Sequence, residues 1–365
     1  MRQQSQYFWT VALGVPLLGW GALGFVRALL FFGQASAADG WDDAREADGL
    51  RRVRRGRRSL QVLSVSARTA LRDSGDPSGS VQLDAFLSGT KAIKAQPSWQ
   101  GVAAIRHSRL SSDAETSEAL LLEALTCVLV DLAPNLMQLS EKPPLALLME
   151  IDSGLPEDLV QRVWQQAWAA SGIRQLAVPA EDKGLAALDV WLDQRINDPG
   201  LLLVVAAQIA PSQPEGTAEA AVGILLGNRL TQTTLAPIAY LHRPELEREP
   251  TTEALLYAVR QALDWVPLAA RDVEQTWRVG TDVQRDVAIN TVLSEVGMPA
   301  NNDHGLCNLD ALLGQPGQAS PWLAIAAATQ TIERGAGPQL IFSGNSSVET
   351  GLWGTVLMPV PPLSK

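Results

Sequence analysis

From Ser59 onward the chain runs through two successive rounds of apolar strand and amphipathic helix, an order that leaves few folds open. In the first round SLQVLSVSART (59–69) is a β-branched strand, 117–132 a helix, and PLALLMEI (144–151) a buried strand. EDLVQRVWQQAWAASG (157–172) has helical spacing and a glycine stop. RQLAVPA follows as a short strand, and GLAALDVWLDQRIND (184–198) is a helix. PGLLLVVAAQI and EAAVGILLGN close the round as consecutive strands. The second round has strand LAPIAYLHRP (235–244), helix 252–265, strand VEQTWRVG, and helices 283–296 and 321–334. PQLIFSG and LWGTVLMPV end it, again as a strand pair. Such an order indicates an α/β domain, 59–365, whose sheet is covered by helices. Its halves fall at about 59–230 and 231–365, the first with one extra strand. They share order and no convincing residue identity. The runs 73–82 and 211–216 are loop signals inside the domain.

Ahead of the domain, FWTVALGVPLLGWGALGFV (Phe8–Val26) carries no charge. Arg27 interrupts it, and Ala28–Phe32 resume the apolar run. A bilayer core needs about 20 apolar residues of helix, so 7–32 is expected to be one transmembrane helix with Arg27 snorkelling to an interface. Tyr7, Phe8 and Trp9 suit the aromatic belt, and Pro16 is tolerated in lipid. Residues 33–58 are an arginine-rich juxtamembrane linker, with Arg45 and then RRVRRGRR from Arg51 to Arg58. Positive charge resists translocation, which places the domain on the cytoplasmic side of an inner membrane with the amino terminus out. A cleaved signal peptide ending at Ala35-Ser36-Ala37 fits less well. The apolar stretch is too long for it, and the charge lies on the wrong side.

A net charge of −10 argues against nonspecific nucleic-acid binding. Cys127 and Cys307 are the two cysteines, which allows neither a disulfide framework nor a CxxC pair; Cys127, in an apolar run, is expected to be a buried inert thiol. His107, His242 and His304 are far apart in sequence, and there is no P-loop, GxGxxG, HExxH or GxSxG run. No metal or cofactor site is expected. The adjacent pairs Asp42-Asp43 and Glu181-Asp182 are surface charge before they are acid/base machinery.

Three local runs then resemble the β-ketoacyl synthases of the thiolase superfamily. In that family the nucleophile lies in A-C-S-S-G-L-A-A-L, and the run Ala180-Glu181-Asp182-Lys183-Gly184-Leu185-Ala186-Ala187-Leu188 keeps the alanine and GLAAL but puts Glu181 at the cysteine. The family's H-G-T histidine is matched by Asp303-His304-Gly305. Its G-H pair is matched by Gly314-Gln315, and its glycine-rich gate by Ser343-Gly344-Asn345-Ser346-Ser347. The resemblance covers about 59–360 and implies a thiolase-like, duplicated βαβαβ layered fold. It also implies degenerate catalytic positions at Glu181, His304 and Gln315. The family's thiolate attacks a thioester and two histidines support the developing charge, whereas Glu181 is a poor nucleophile and Gln315 carries no proton.

The expectation that follows is a membrane-tethered pseudo-enzyme acting as scaffold or adaptor. Its implied partner is a protein, including a homodimer or a heterodimer with a related fold through the strand RQLAVPA, where Pro179 removes one donor. The phrase APIAYLHRP (236–244), with the anchor, is similar to adaptors that load lipase effectors onto bacterial type VI secretion machinery. The alternatives are a condensing-enzyme-like acyl transferase or decarboxylase, and an acyl-binding module using helix 321–328.

Overall fold

The computed structural model describes residues 6–361 apart from 74, 77, 143, 299–304 and 346–348. The chain separates into two units, Met1–Arg55 and Gly56–Lys365. Helix α1, Gln6–Gly56, makes up the first. Its segment Tyr7–Gln34 has a mean hydropathy of 1.7 and is long and apolar enough to cross a membrane. The helix does not stop where the apolar run does. It continues through Ala35–Ala37 and the arginine-rich segment, so 33–58, expected as a linker, is helical as far as Gly56. Ala, Glu and Arg are good helix formers, and Asp48 pairs with Arg51 and Arg52 at 3.6 and 2.8 Å one turn on. From Gln34 to Gly56 this adds roughly 33 Å of helix at 1.5 Å per residue.

In the second unit the first half comprises β1 (Ser59–Arg68), α2 (Ser80–Leu87), the hairpin β2 (Lys94–Ser98) and β3 (Gly101–His107), α3 (Ser117–Met137), β4 (Leu145–Ser153), α4 (Glu157–Ser171), β5 (Ala177–Pro179), α5 (Gly184–Gln194), β6 (Leu201–Ile209) and β7 (Ala220–Asn228). The second half holds β8 (Ala239–His242), β9 (Glu245–Leu246), α6 (Thr252–Trp265), β10 (Gln275–Val279), α7 (Val283–Glu295), β11 (Leu306–Asn308), α8 (Leu309–Leu313), α9 (Ser320–Glu333), β12 (Gln339–Asn345) and β13 (Glu349–Pro359).

The main sheet runs β11-β10-β12-β13-β8-β1-β7-β6-β4-β5, with β9 beside β13. Setting aside the separate hairpin and β9, each half winds its five strands in the same spatial order, 3-2-4-5-1. In each, the fifth strand alone runs against its neighbours: β7 against β6 and β1, β13 against β12 and β8. The two first strands, β1 and β8, pair antiparallel at the seam, from Ser59 with His242 to Val62 with Ala239. The halves therefore match strand for strand. The apparent extra strand of the first half disappears once the three-residue β11 is counted.

Alternation within the strands separates the layers. On β6, Leu202, Val204 and Ala206 join a core with α5 and α9, while Leu201, Leu203 and Val205 join α3 and α4 on the other face. A third core packs α6 and α7 on the outer face of the second half. Two sheet halves thus sandwich α5 and α9 and carry helices outside. Helix α9 is buried from Ser320 to Ile332, as a helix apolar on all sides must be, and Ala324, Ala326, Ala327 and Ala328 let both layers approach it. Helix α3 is also long and apolar enough to span a membrane, but here half of it is buried as a core helix.

Candidate functional site

Helix α5 begins where GLAAL begins, at Gly184 in a left-handed conformation (φ 59°). Ala180 leads in, its N–H donating to Leu147 O at 2.7 Å, and Glu181, Asp182 and Lys183 are exposed. The first N–H groups of a helix have no partner within it, and Lys183 supplies no side-chain cap. The cap comes from the sheet. Glu150 on β4, 7% exposed, accepts the Gly184 N–H on Oε1 and the Trp322 indole N–H on Oε2, the latter at 2.7 Å. Trp322 lies in the first turn of α9. One buried carboxylate thus joins the N-terminal ends of the two central helices, one from each half. Among the described residues no lysine or arginine forms a salt bridge with it.

Beside it the halves meet again through Gln315. Its backbone O accepts from Ala218 N (2.9 Å) and from Gln208 Nε2 (2.8 Å), its N–H donates to Gly216 O (2.9 Å), and its Nε2 donates to Thr281 O (3.3 Å). Gln208 shares the central face of the sheet with Glu150, since Asp152 and Gln208 are in register on β4 and β6. A Cβ on Gly317 would collide with the Gln208 side chain. Gly280 and Gly344 touch backbone to backbone at the ends of β10 and β12, and a side chain on either would strike the other strand. Asp310 Oδ2 accepts the Thr281 N–H at 2.9 Å; its Oδ1 is shielded from solvent without a hydrogen-bond partner, and burial raises this carboxyl to about 6.

Of the positions expected from the sequence, Gln315 lies in this interior network and Gly344 beside it. Glu181 is on the surface, so it is not a protonated acid in an apolar pocket. His304, and Ser346 and Ser347 of the gate, lie outside the described residues. Cys307 is buried on β11, donating weakly to Phe86 O at 3.5 Å, and burial pushes its thiol up to about 12. Cys127 is half-buried on α3, its thiol also raised by burial. Among the described residues no cluster of ligating side chains could hold a metal ion.

Three features escaped the sequence. Glu150 is one; its signal was a single acid near the end of the apolar run LALLMEI. Val279-Gly280-Thr281 is another, a strand end with the G-T of H-G-T and valine in the histidine's place, bonded to Gln315 through Thr281. The third is a second Gly-Gln pair, Gly317-Gln318, in the 3-10 turn leading straight into α9. A concavity of about 630 Å³ lies elsewhere, bordered by Phe86, Leu306, Asn308 and Arg334. The phrase APIAYLHRP forms β8 and the turn after it. Its Arg243, 10% exposed, pairs with Asp189 and Asp193 of α5 (2.5 Å to the latter). Arg58 donates to Leu192 O at 2.7 Å near the other end of α5.

No family model and no curated protein matches this sequence. Solved structures do match. A β-ketoacyl synthase from Burkholderia phymatum STM815 has a TM-score of 0.56 at 12% identity, over 83% of this chain and 100% of that one. The ishigamide ketosynthase/chain length factor has 0.58 at 14%, over 83% and 99%. The PfaC keto synthase–chain length factor has 0.57 at 11%, over 84% of this chain, which spans 43% of its length. The fold is thus the thiolase-like fold of ketosynthases and chain length factors. At these identities the likeness speaks to fold alone.

Proposed function

We propose that this chain is a membrane-anchored, non-catalytic protein of ketosynthase fold that serves as scaffold or adaptor for another protein. The observation that carries the reading is the start of α5. In the resembling family that position bears the nucleophilic cysteine; here 180–184 contains none, and the leading amide is already taken by Glu150. A fixed carboxylate there opposes an incoming enolate or oxyanion, and a thiol near 12, as at Cys307, supplies no thiolate at neutral pH. Tyr7–Gln34 serves as the inner-membrane anchor, with the arginine cluster on the cytoplasmic side.

The partner surface we assign is β5. It ends the sheet, paired only with β4, and exposes Leu176 (71%) and Val178 (44%) along a free edge. In the resembling family the corresponding strand meets its copy across a dimer axis, so a second copy or a related fold suits it. One solved neighbour is a ketosynthase in complex with its type II PKS acyl-carrier protein, which makes carrier proteins and synthases the first partners to seek. A role accessory to type VI secretion rests on the APIAYLHRP likeness. Leu241 and Arg243 of that phrase are engaged by the core and by α5, so the likeness supports that role less than β5 supports a partner.

The test is cross-linking and affinity capture of the full-length protein from native membranes. We expect specific recovery of a synthase, a carrier protein or a secretion component, lost in Val178→Glu with an unchanged melting temperature. Failure to recover any specific partner, or turnover of acyl thioesters by the purified protein, would overturn the proposal.

A further inference from the structure

Glu150 is an acid where an anionic ligand would sit. Its neighbours on that face of β4, Ala146 and Leu148, are apolar core residues, and the carboxylate itself is buried. Its oxygens meet two N–H donors from opposite halves, Gly184 N and Trp322 Nε1. Helices α5 and α9, of 11 and 14 residues, both turn their N-terminal ends towards it. Such ends carry partial positive charge and free N–H groups, the arrangement by which proteins hold carboxylates and phosphates. With no cation paired to Glu150 among the described residues, the two donors and the helix ends hold this charge.

We propose that Glu150 is a ligand built into the chain: an autoinhibitory carboxylate that fills an anion seat between α5 and α9 and latches the two halves together. The inference rests on reading the start of α5 as a vacated nucleophile site. The seat takes a small planar monoanion with two acceptor oxygens, one for each donor. Gln208 and Gln315 stand on the same face of the sheet and leave no cation for a second charge, which selects a monocarboxylate over a phosphate. While Glu150 is in place, nothing from solution can use those donors.

Glu150→Gly in the full-length protein, held in lipid nanodiscs, tests this. Its thermal unfolding is followed in sodium formate, acetate or pivalate, with sodium chloride at equal ionic strength as the control. The variant is expected to melt roughly 5–10 °C below wild type. Formate or acetate should restore a saturable part of that loss, chloride and bulky pivalate should not, and wild type should not respond. Absence of saturable recovery, or an equal response from wild type, would overturn the seat. Should the glycine variant not fold, Glu150→Gln keeps the shape while turning an amide N–H₂ on one donor. It should melt several degrees low and shift one indole N–H resonance, and a variant indistinguishable from wild type would sink the latch. Thioester turnover is measured separately. Turnover together with carboxylate rescue would refute the scaffold reading and leave the latch standing; no turnover and no rescue would do the reverse.

Discussion

Helices α5 and α9 fill the same slot in the two halves, between the third and fourth strands, and are held there by different physics. Helix α9 is fixed by packing: Trp322, Leu323 and Ile325 are fully buried, and alanines bring both layers against it. Helix α5 buries one face, with Leu185, Leu188, Trp191 and Leu192, and polar contacts hold the rest. Glu150 takes its first N–H, Arg243 bridges Asp189 and Asp193, and Arg58 reaches Leu192 O. Duplication therefore preserved the winding and not the means of holding it. The half that keeps GLAAL is the one stitched together by charge.

Breaking α9 should cost most. Trp322→Ala removes a fully buried indole and strands one oxygen of Glu150, so a loss of about 3–5 kcal/mol is expected in denaturant unfolding. A loss below that of an ordinary surface change would show that packing does not anchor α9. Arg243→Ala should cost less, about 1–3 kcal/mol, because Asp189 and Asp193 are partly exposed and recover water. Arg243→Lys should restore only part of it, since an ammonium lacks the fork that reaches both carboxylates.

Acid sharpens the contrast between the seam and the second half. His242, beside Arg229, is lowered by burial to about 4 from 6.5, so the unfolded chain protonates first and stability falls as pH drops from 6.5 through 4. Asp310 is raised by burial to about 6 from 3.8, so its contribution is full below 3.8 and is lost as pH rises through 6. The two oppose each other in one window. Melting curves against pH should lose the acid-side fall in His242→Gln and the opposite slope in Asp310→Asn; unchanged slopes in both variants would refute the assignment. Glu181→Ala should do least, within about 0.5 kcal/mol, because the side chain is exposed. A larger loss would mean that the start of α5 depends on it.

Elements with a strong local signature were legible in the sequence. Helix α6 has the expected bounds, 252–265, with Thr251 capping Ala254 N at 3.2 Å, and the runs of β6 and β7 announced buried strands. GLAAL stands at the start of a central helix, as the resemblance implied. The illegible parts depended on distance or brevity. Glu150 finds its partners 34 and 172 residues away, and β11 is three residues long. Val279-Gly280-Thr281 was hidden by its valine, which drew the search for a histidine to His304. The arginine-rich segment after the anchor continues as helix because its residues suit a helix as well as a linker.

The central claim is that the start of α5 holds a ketosynthase fold without ketosynthase chemistry. Incubating the full-length protein in nanodiscs with acyl and malonyl thioesters, and following its intact mass and carbon dioxide release, tests this most directly. The account predicts no acyl adduct on the chain and no decarboxylation above the thioester alone. A stoichiometric acyl adduct, or malonyl decarboxylation that depends on the folded protein, would contradict it.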